Sequence, residues 1–197
     1  MDKVSIIVRT CGRPEVLRGA LESIRKQTYP DVETVVIEDG LEISRQMICT
    51  EYSDLQLRYI STGKRVGRAK AGNLGMKVAQ GKYLNFLDDD DVLYPEHIEI
   101  LLQTLQSAEE KAVYSVAEEA AAIYRKRKRT FYDVRKKVRF REPFNRMYLL
   151  HTNYLPIQSV MFEKSLFEQY GGFRENVDYL EDWDLWVRYA AHTNFKM

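Results

Sequence analysis

Residues 83–91 read YLNFLDDDD, a short apolar run that passes directly into four consecutive aspartates. The apolar part has the length and composition of a buried strand, which we place at residues 83–87. In an extended backbone, side chains two residues apart point the same way. Asp88 and Asp90 are therefore expected to share a target, with the other two aspartates facing elsewhere.

The aspartate run also predicts a binding partner. Adjacent carboxylates repel one another, which costs stability unless something neutralises them. A divalent cation does so, because carboxylate oxygens are the ligands that Mg²⁺ and Mn²⁺ prefer. The alternative interpretation is a solvated acidic turn ahead of a helix that we expect to begin at Pro95.

The sequence before this run alternates strand-like and helix-like patterns. Residues 4–8, 32–37 and 57–60 are typical of buried strands, and residues 17–24 carry apolar side chains at the spacing of one helix face. This alternation predicts an α/β fold with a mostly parallel sheet flanked by helices. Ligands of such sheets bind beyond the carboxyl ends of the strands. One pocket should then collect three polar segments, which are residues 10–13, 38–39 and 88–91.

The regular alternation of strand-like and helix-like patterns ends in the second half of the chain. Residues 125–141 are strongly basic and alternate in part, which predicts an exposed hairpin. Residues 154–162 have the composition of a strand, and Glu181 begins a last helix with Trp186 on its apolar face. Because no linker or repeat interrupts the chain, we interpret this half as an addition to the first sheet.

The bulk composition excludes several classes of function. Lys and Arg number 30 against 29 Asp and Glu, so a net charge of +1 gives no general attraction to nucleic acid. Cys11 and Cys49 have no zinc spacing and form no disulfide framework, which predicts reduced thiols. The chain has no apolar run of membrane-spanning length and no signal-peptide pattern at its N-terminus. These features predict a cytoplasmic protein.

Three further sets of residues are candidates for chemistry. Asp39 ends the second strand, where it either accepts a hydrogen bond from a base or ribose or serves as a turn residue before Gly40. The loop that we expect after the third strand carries four cations, which are Lys64, Arg65, Arg68 and Lys70. They either hold a diphosphate or form a solvated charged segment. Residues 181–184, Glu-Asp-Trp-Asp, either cap the last helix or supply a firmly positioned base.

Several segments occur in an order that carries a resemblance to a known family. They are VSIIVRT at 4–10 with RP at 13–14, VVIEDG at 35–40, AGNLG at 71–75, GKYLNFLDDDD at 81–91, GGF at 171–173 and EDWDLW at 181–186. In this order and spacing they resemble family 2 of the inverting glycosyltransferases, which have the GT-A fold. The resemblance covers nearly the whole chain.

The resemblance implies a fold and a set of roles. The fold would be a single GT-A domain with a Rossmann-like sheet, a nucleotide-binding half at 1–112 and a smaller acceptor-binding extension at 113–197. Many members continue further, so we expect this chain to be part of a longer protein. The implied site residues are Thr10, Arg13 and Asp39 at the base and ribose, Asp88 or Asp89 at the ribose, Asp90 at the metal and Asp182 as general base.

The expected activity follows from these roles. A sugar would pass from a nucleoside-diphosphate sugar, preferably a UDP-sugar, to a hydroxyl of a glycan or lipid-linked acceptor, with Mn²⁺ or Mg²⁺ as cofactor. Two alternatives remain. One is a nucleotidyltransferase, although this chain lacks the glycine-rich loop after the first strand that would hold a triphosphate. The other is a non-catalytic nucleotide or polyanion binder. The basic residues 125–141 are expected to allow peripheral contact with the inner membrane face.

Overall fold

One mixed β-sheet lies at the centre of the computed structural model, which describes residues 1–125, 130–177 and 179–197. The strands in chain order are β1 (Val4–Thr10), β2 (Val32–Glu38), β3 (Leu57–Ser61), β4 (Tyr83–Asp88), β5 (Ala112–Tyr114), β6 (Ala117–Arg125), β7 (Thr130–Phe140), β8 (Val160–Glu163) and β9 (Phe195–Lys196). The sheet has the order β3-β2-β1-β4-β8-β5-β9, and β6 and β7 pair separately.

The first four strands of the chain form the parallel part of this sheet. β1 pairs with β2 on one side and with β4 on the other, so that Arg9 lies between Ile37 and Asp88. β8 pairs antiparallel with β4 and β5, and β9 runs parallel to β5. The predicted α/β class with a mostly parallel sheet is confirmed, and strands of the second half extend the sheet beyond β4.

Helices cover both faces of the sheet. They are α1 (Pro14–Arg25), α2 (Arg45–Glu51), α3 (Arg68–Val78), α4 (His97–Gln106), α5 (Arg146–Leu149), α6 (Lys164–Tyr170) and α7 (Glu181–Ala190). Alternate residues of β1 enter different cores: Ile7 packs with Trp186 of α7, and Val8 packs with Leu21 of α1. Among the described helices, none combines the length and the apolar character needed to cross a membrane.

Close contacts of α3 fix the segment that leads into α7. A Cβ on Gly75 would collide with Ile7 of β1, and a Cβ on Gly72 would lie 2.5 Å from the ring of Phe173. Asn73 binds the same turn with both ends of its amide: its Nδ2 donates to the carbonyl of Phe173 (2.9 Å), and its Oδ1 accepts from the N–H of Phe173 (2.8 Å). The start of α7 is thereby held near the carboxyl ends of the parallel strands.

The predicted strand at 154–162 is wrong in its first part. A 3-10 turn occupies Ile157–Ser159, and β8 begins only at Val160. The carbonyl of Leu155 accepts a hydrogen bond from Trp186 Nε1 (3.1 Å). The carbonyl of Gln158 accepts from Asn85 Nδ2 of β4 (3.2 Å), and that of Ser159 accepts from the N–H of Ser115 (3.0 Å). Individual contacts of this kind, rather than a continuous strand ladder, bind the backbone here, which periodicity alone does not reveal.

Two other boundaries differ from the sequence-based expectation. The helix expected from Pro95 begins at His97. Arg68 and Lys70, expected in a loop, lie in the first turn of α3. The loop instead ends at Gly67, directly before α3. Gly67 has φ of 93°, a backbone conformation that residues with a Cβ rarely reach.

The predicted basic hairpin is present in the described part of its range. β6 and β7 pair antiparallel, from Ala117 opposite Phe140 to Arg125 opposite Thr130, so its first strand begins earlier than predicted. Residues 135–139 are exposed, as expected. Residues 126–129, which include several of its cations, lie outside the described residues.

Candidate active site

The carboxyl ends of β1, β2 and β4 meet at one edge of the sheet. The N–H of Asp39 donates to the carbonyl of Thr10 (2.8 Å), and the N–H of Asp89 donates to the carbonyl of Arg9 (3.2 Å). Thr10 Oγ1 donates to Asp89 Oδ2 at 2.6 Å. The three polar segments that the sequence places after strands therefore lie side by side.

The aspartate run turns rather than continuing as a strand. The N–H of Asp91 donates to the carbonyl of Asp88 at 3.1 Å, which breaks the alternation of an extended backbone. The extended backbone on which the shared target of Asp88 and Asp90 rests is therefore absent, and a common ligand of the two stays a prediction. Asp89 and Asp90 instead share Arg13, whose Nε lies 3.1 Å from Asp89 Oδ2 and whose Nη1 lies 3.4 Å from Asp90 Oδ2.

The aspartates differ in what they can offer a ligand. The side chain of Asp90 is 57% exposed, whereas that of Asp89 is 1% exposed and already bound to Thr10 and Arg13. Burial raises the pKa of the Asp89 carboxyl against the opposing effects of those two partners. Burial and the other three aspartates raise the pKa of Asp91 to about 7. The cluster thus holds more negative charge than its protein partners neutralise.

The acidic cluster fits a metal that is shared with a ligand, not one held by protein alone. In the part of the chain that the structure describes, no group of three acidic, histidine or cysteine side chains is arranged to hold an ion. Mg²⁺-type sites commonly use one or two carboxylates together with substrate phosphates. An exposed carboxylate at Asp90, beside further carboxylates, meets that requirement.

Arg9 is a buried residue at this edge that the sequence reasoning did not single out, and its partner Glu181 belongs to the candidate set 181–184. Arg9 Nε and Nη2 bind the two oxygens of Asp88 at 2.8 and 3.0 Å, and Nη1 binds Glu181 Oε1 at 2.8 Å. The side chains of Arg9 and Glu181 are only 6% and 2% exposed. Arg9 is a cation inside an otherwise buried strand, and such a cation needs carboxylate partners. This feature of the sequence is the signal that could have identified Arg9.

Asp182 lies at the start of α7, beside Glu181. Its Oδ2 accepts a hydrogen bond from Asn153 Nδ2 (3.1 Å), and its Oδ1 accepts from the N–H of Trp183 (2.8 Å). Burial raises the pKa of the Asp182 carboxyl, the two hydrogen bonds oppose this, and the charge of Glu181 adds to it. A half-buried carboxylate with a raised pKa is suited to accepting a proton.

The two tryptophans fix the helix that carries Asp182. Trp183 Nε1 donates to the carbonyl of Leu149 (2.5 Å), and Trp186 Nε1 donates to that of Leu155 (3.1 Å). Leu180, which precedes the helix, has φ of 59°, an uncommon left-handed conformation for a residue with a branched side chain. The hydrogen bonds of the two indoles therefore hold the start of α7 in a specific position.

Asp39 and Arg68 contact the same edge of the sheet. Asp39 accepts hydrogen bonds from the N–H groups of Val66 (2.6 Å) and Gly67 (3.0 Å), so it shapes the loop before α3. Arg68 Nη1 lies 3.8 Å from Glu181 Oε1, and its side chain is 59% exposed. Both residues border the region between the aspartate run and α7, and their predicted nucleotide contacts stay predictions.

Comparison with known proteins follows the same motifs. The sequence pattern of the family described as glycosyl transferase family 2 matches residues 5–171. The chain belongs to glycosyl transferase family 2. It is 31% identical to the glycosyltransferase YwdF of Bacillus subtilis over 98% of this chain and 70% of that protein. It is 29% identical to a glycosyltransferase of Rickettsia prowazekii, over 94% of this chain and 58% of that protein.

Solved structures share the fold of this glycosyltransferase. S. aureus TarS 1–349 in complex with UDP-GlcNAc matches with a TM-score of 0.77 and 20% identity, over 98% of this chain and 55% of that one. The mannosyltransferase PcManGT of Pyrobaculum calidifontis, in complex with GDP-Man and Mn²⁺, matches with a TM-score of 0.73 and 18% identity, over 100% of this chain and 54% of that one. The GT-A fold expected from the sequence is confirmed, and the chain is a transferase rather than a non-catalytic binder.

The raised pKa of Asp91 predicts a specific dependence of stability on pH. The folded protein binds this proton more tightly than the unfolded chain, so the stability it contributes is present below about pH 4 and is lost as the pH rises through about 7. Asp91→Asn cannot ionise. It should match the wild type near pH 4 and exceed its free energy of unfolding near pH 8 by up to about 4 kcal/mol.

Urea unfolding in the presence of EDTA, at pH values from about 4 to 8, measures this difference. The control is Asp54→Asn, because the Asp54 side chain is 57% exposed and its charge acts on Arg25 rather than on Asp91. It should change stability by less than about 0.5 kcal/mol. A difference between Asp91→Asn and wild type that stays constant with pH would contradict the prediction.

Proposed function

We propose that this glycosyltransferase is metal-dependent and inverting, and that it transfers a sugar from a nucleoside-diphosphate sugar to a hydroxyl of a glycan or lipid-linked acceptor. A UDP-sugar is the favoured donor, and glycan or polysaccharide synthesis the favoured process. One observation carries the proposal: the aspartate run and Asp182 lie at one edge of the sheet, connected through Arg9 and Glu181. Nucleotide-sugar complexes of structures with the same fold support it.

The donor would lie along the ends of β1, β2 and β4. We assign Thr10, Arg13 and Asp39 to the base and ribose, as the resemblance implies. Of the two aspartates proposed for the ribose, Asp88 is favoured, because its side chain is 24% exposed while that of Asp89 is buried. We assign Arg68, which is exposed beside Glu181, to the diphosphate.

Asp90 is the proposed ligand for Mn²⁺ or Mg²⁺. A bound metal would neutralise charge on the diphosphate as it leaves. Asp90 has the exposure that such a shared ligand requires, and Arg13 orients its carboxylate from the opposite side. The nucleotide-binding half at 1–112 and the acceptor-binding half at 113–197 keep their proposed roles in this scheme.

Asp182 is the proposed general base. The acceptor oxygen attacks the anomeric carbon while the bond from that carbon to the diphosphate oxygen breaks, and Asp182 takes the proton of the acceptor hydroxyl. The nucleoside diphosphate leaves with the bonding electrons. Because attack and departure occur on opposite faces of the carbon, a single displacement inverts the anomeric configuration. Asn153 holds the carboxylate in place for this step.

The metal assignment predicts the behaviour of Asp90→Ala. This variant should fold normally but lose the part of its UDP affinity that depends on Mn²⁺, because one metal ligand is gone. Calorimetric titration of UDP with and without Mn²⁺ measures that part. Asp54→Ala is a matched control, since Asp54 is equally exposed at 57% and also pairs with an arginine. Unchanged metal-dependent affinity in Asp90→Ala would refute the assignment.

The base assignment predicts the behaviour of Asp182→Asn. The variant should keep its UDP affinity and lose turnover by on the order of a hundredfold or more, the scale of general base catalysis. Release of UDP from a panel of UDP-sugars measures turnover without a known acceptor. Asp184→Asn on the same helix, where Asp184 binds Arg174 and Arg188, serves as the control and should stay active. Survival of turnover within a few-fold would leave Asp182 as a helix cap only.

The basic hairpin is proposed to place the enzyme at an anionic membrane surface, on the cytoplasmic side. Residues 135–139 include four cations on an exposed strand, although Arg139 also pairs with Glu119. Each cation near an anionic surface contributes about 1 kcal/mol of attraction, which salt screens within roughly 10 Å. Their combined effect should therefore be measurable and sensitive to salt.

Sedimentation with lipid vesicles tests this surface. The protein should bind vesicles that contain anionic lipid at low salt, release them at high salt, and ignore neutral vesicles. The double variant Arg135→Glu and Lys137→Glu should lose the binding, whereas a Lys26→Glu variant, changed at the exposed cation directly after α1, should keep it. Equal binding to both vesicle types, or none at low salt, would leave a solvated hairpin without a membrane role.

A further inference from the structure

A single buried guanidinium connects the donor side of the site with the base side. Arg9 ends up between two carboxylates that are far apart in the sequence, Asp88 at the end of β4 and Glu181 at the start of α7. It gives two nitrogens to the first and one to the second, all at 2.8 to 3.0 Å. Rotation of the guanidinium in its plane would break contact with at least one partner.

The backbone of the sheet explains why this side chain reaches both partners. Successive residues of a strand point to opposite faces, so Arg9 points to the same face as Ile7, the face on which α7 packs. Asp88 is its register partner in β4 and shares that face. The rings of Phe86 and Phe173 lie 5.6 Å from the guanidinium carbon and exclude water from its remaining sides.

The charges in this cluster do not balance, which argues against a role in stability alone. One buried guanidinium faces two carboxylates, and Arg68 approaches Glu181 only to 3.8 Å from an exposed position. Glu181 Oε2 is buried without a hydrogen-bond partner among the described residues. Buried ion clusters are often no more stable than apolar replacements, while loss of one member is costly. Such a cluster stabilises one geometry against others.

We propose that Arg9 is a positioning residue, which fixes the distance between Asp88 on the donor side and the N-terminus of the helix that carries Asp182. The inference rests on the proposed function and adds the element that connects its two halves. Glu181 transmits the contact, because it adjoins Asp182 in the first turn of α7. A base displaced by about 1 Å can lose on the order of a hundredfold in rate.

The cluster also sets the electrostatic surroundings of Asp182. Glu181 of its own helix raises the pKa of Asp182, and Arg9 of β1 lowers it. Asn153, which faces it from the segment after α5, is neutral. The remaining charged groups of the cluster are Asp88 of β4 and Arg68 of α3. Removing Glu181 or displacing Arg9 should therefore move the titration of Asp182 in opposite directions.

Two variants of the full chain test the proposal, with one control. Glu181→Gln weakens the contact to α7, because the neutral amide keeps an acceptor oxygen but loses the charge that pairs with Arg9, and it leaves the bidentate contact to Asp88. It should lower kcat for release of UDP from a UDP-sugar on the order of 10- to 100-fold and change KM by less than about threefold. Arg9→Lys has one ammonium for two carboxylates, so kcat and UDP affinity should fall together. Arg174→Lys, at another arginine–carboxylate pair of α7, should leave both unchanged.

A second readout does not depend on activity. Titration of ¹³Cγ-labelled aspartates by NMR, with Asp182→Asn to assign the resonance, should show the pKa of Asp182 lowered in Glu181→Gln and raised in Arg9→Lys. A lower melting temperature with wild-type kcat and an unmoved Asp182 titration would overturn the proposal and leave Arg9 structural. If the wild type turns over no nucleotide sugar, the proposed function fails and the positioning role fails with it, and the NMR titration then reports only whether Arg9 and Glu181 set the ionisation of Asp182.

Discussion

The contact between Arg9, Asp88 and Glu181 is the constraint on which the arrangement of the site depends. It joins the parallel strands, which every ligand of this edge must approach, to a helix that enters 172 positions later in the sequence. Other contacts support the same alignment: Asn73 binds the turn at Phe173, and the two indoles of α7 donate to the carbonyls of Leu149 and Leu155. Without the central guanidinium, the buried carboxylate of Glu181 and the partly exposed one of Asp88 would face each other without a counter-charge, which would disfavour this position of α7.

A surplus of negative charge explains the chemistry proposed for this edge. Arg13 neutralises part of the aspartate run and Arg9 another part, yet the pKa of Asp91 remains raised to about 7. An acidic cluster of this kind attracts a cation, and a cation in turn attracts a diphosphate. Asp182, the proposed base, lies apart from the aspartate run and is held by Asn153. The aspartate run and Asp182 thus have different surroundings, which is what a metal ligand and a base require.

Much of the fold could be predicted from the sequence because its signals are local. Runs such as Val32–Glu38 have strand periodicity, Pro14 opens a helix, and the order of motifs identifies the family. The misplaced features depend on contacts between distant residues. Trp186 binds the carbonyl of Leu155 ahead of β8, where the sequence predicted a strand. A hydrogen bond within the aspartate run turns the chain, and periodicity cannot foresee it. Arg9 was visible as a cation in a buried strand, but its partner Glu181 could not be inferred without the tertiary structure.

In the proposed site, a nucleoside diphosphate and a divalent metal meet at Asp90. Crystals grown with UDP and Mn²⁺ and measured at the manganese absorption edge test it directly. We predict one anomalous peak about 2 Å from a carboxylate oxygen of Asp90, bridged to the diphosphate, since carboxylates and phosphates share such ions. A nucleotide bound elsewhere, or bound at this edge with no anomalous peak near the aspartate run, would contradict the account.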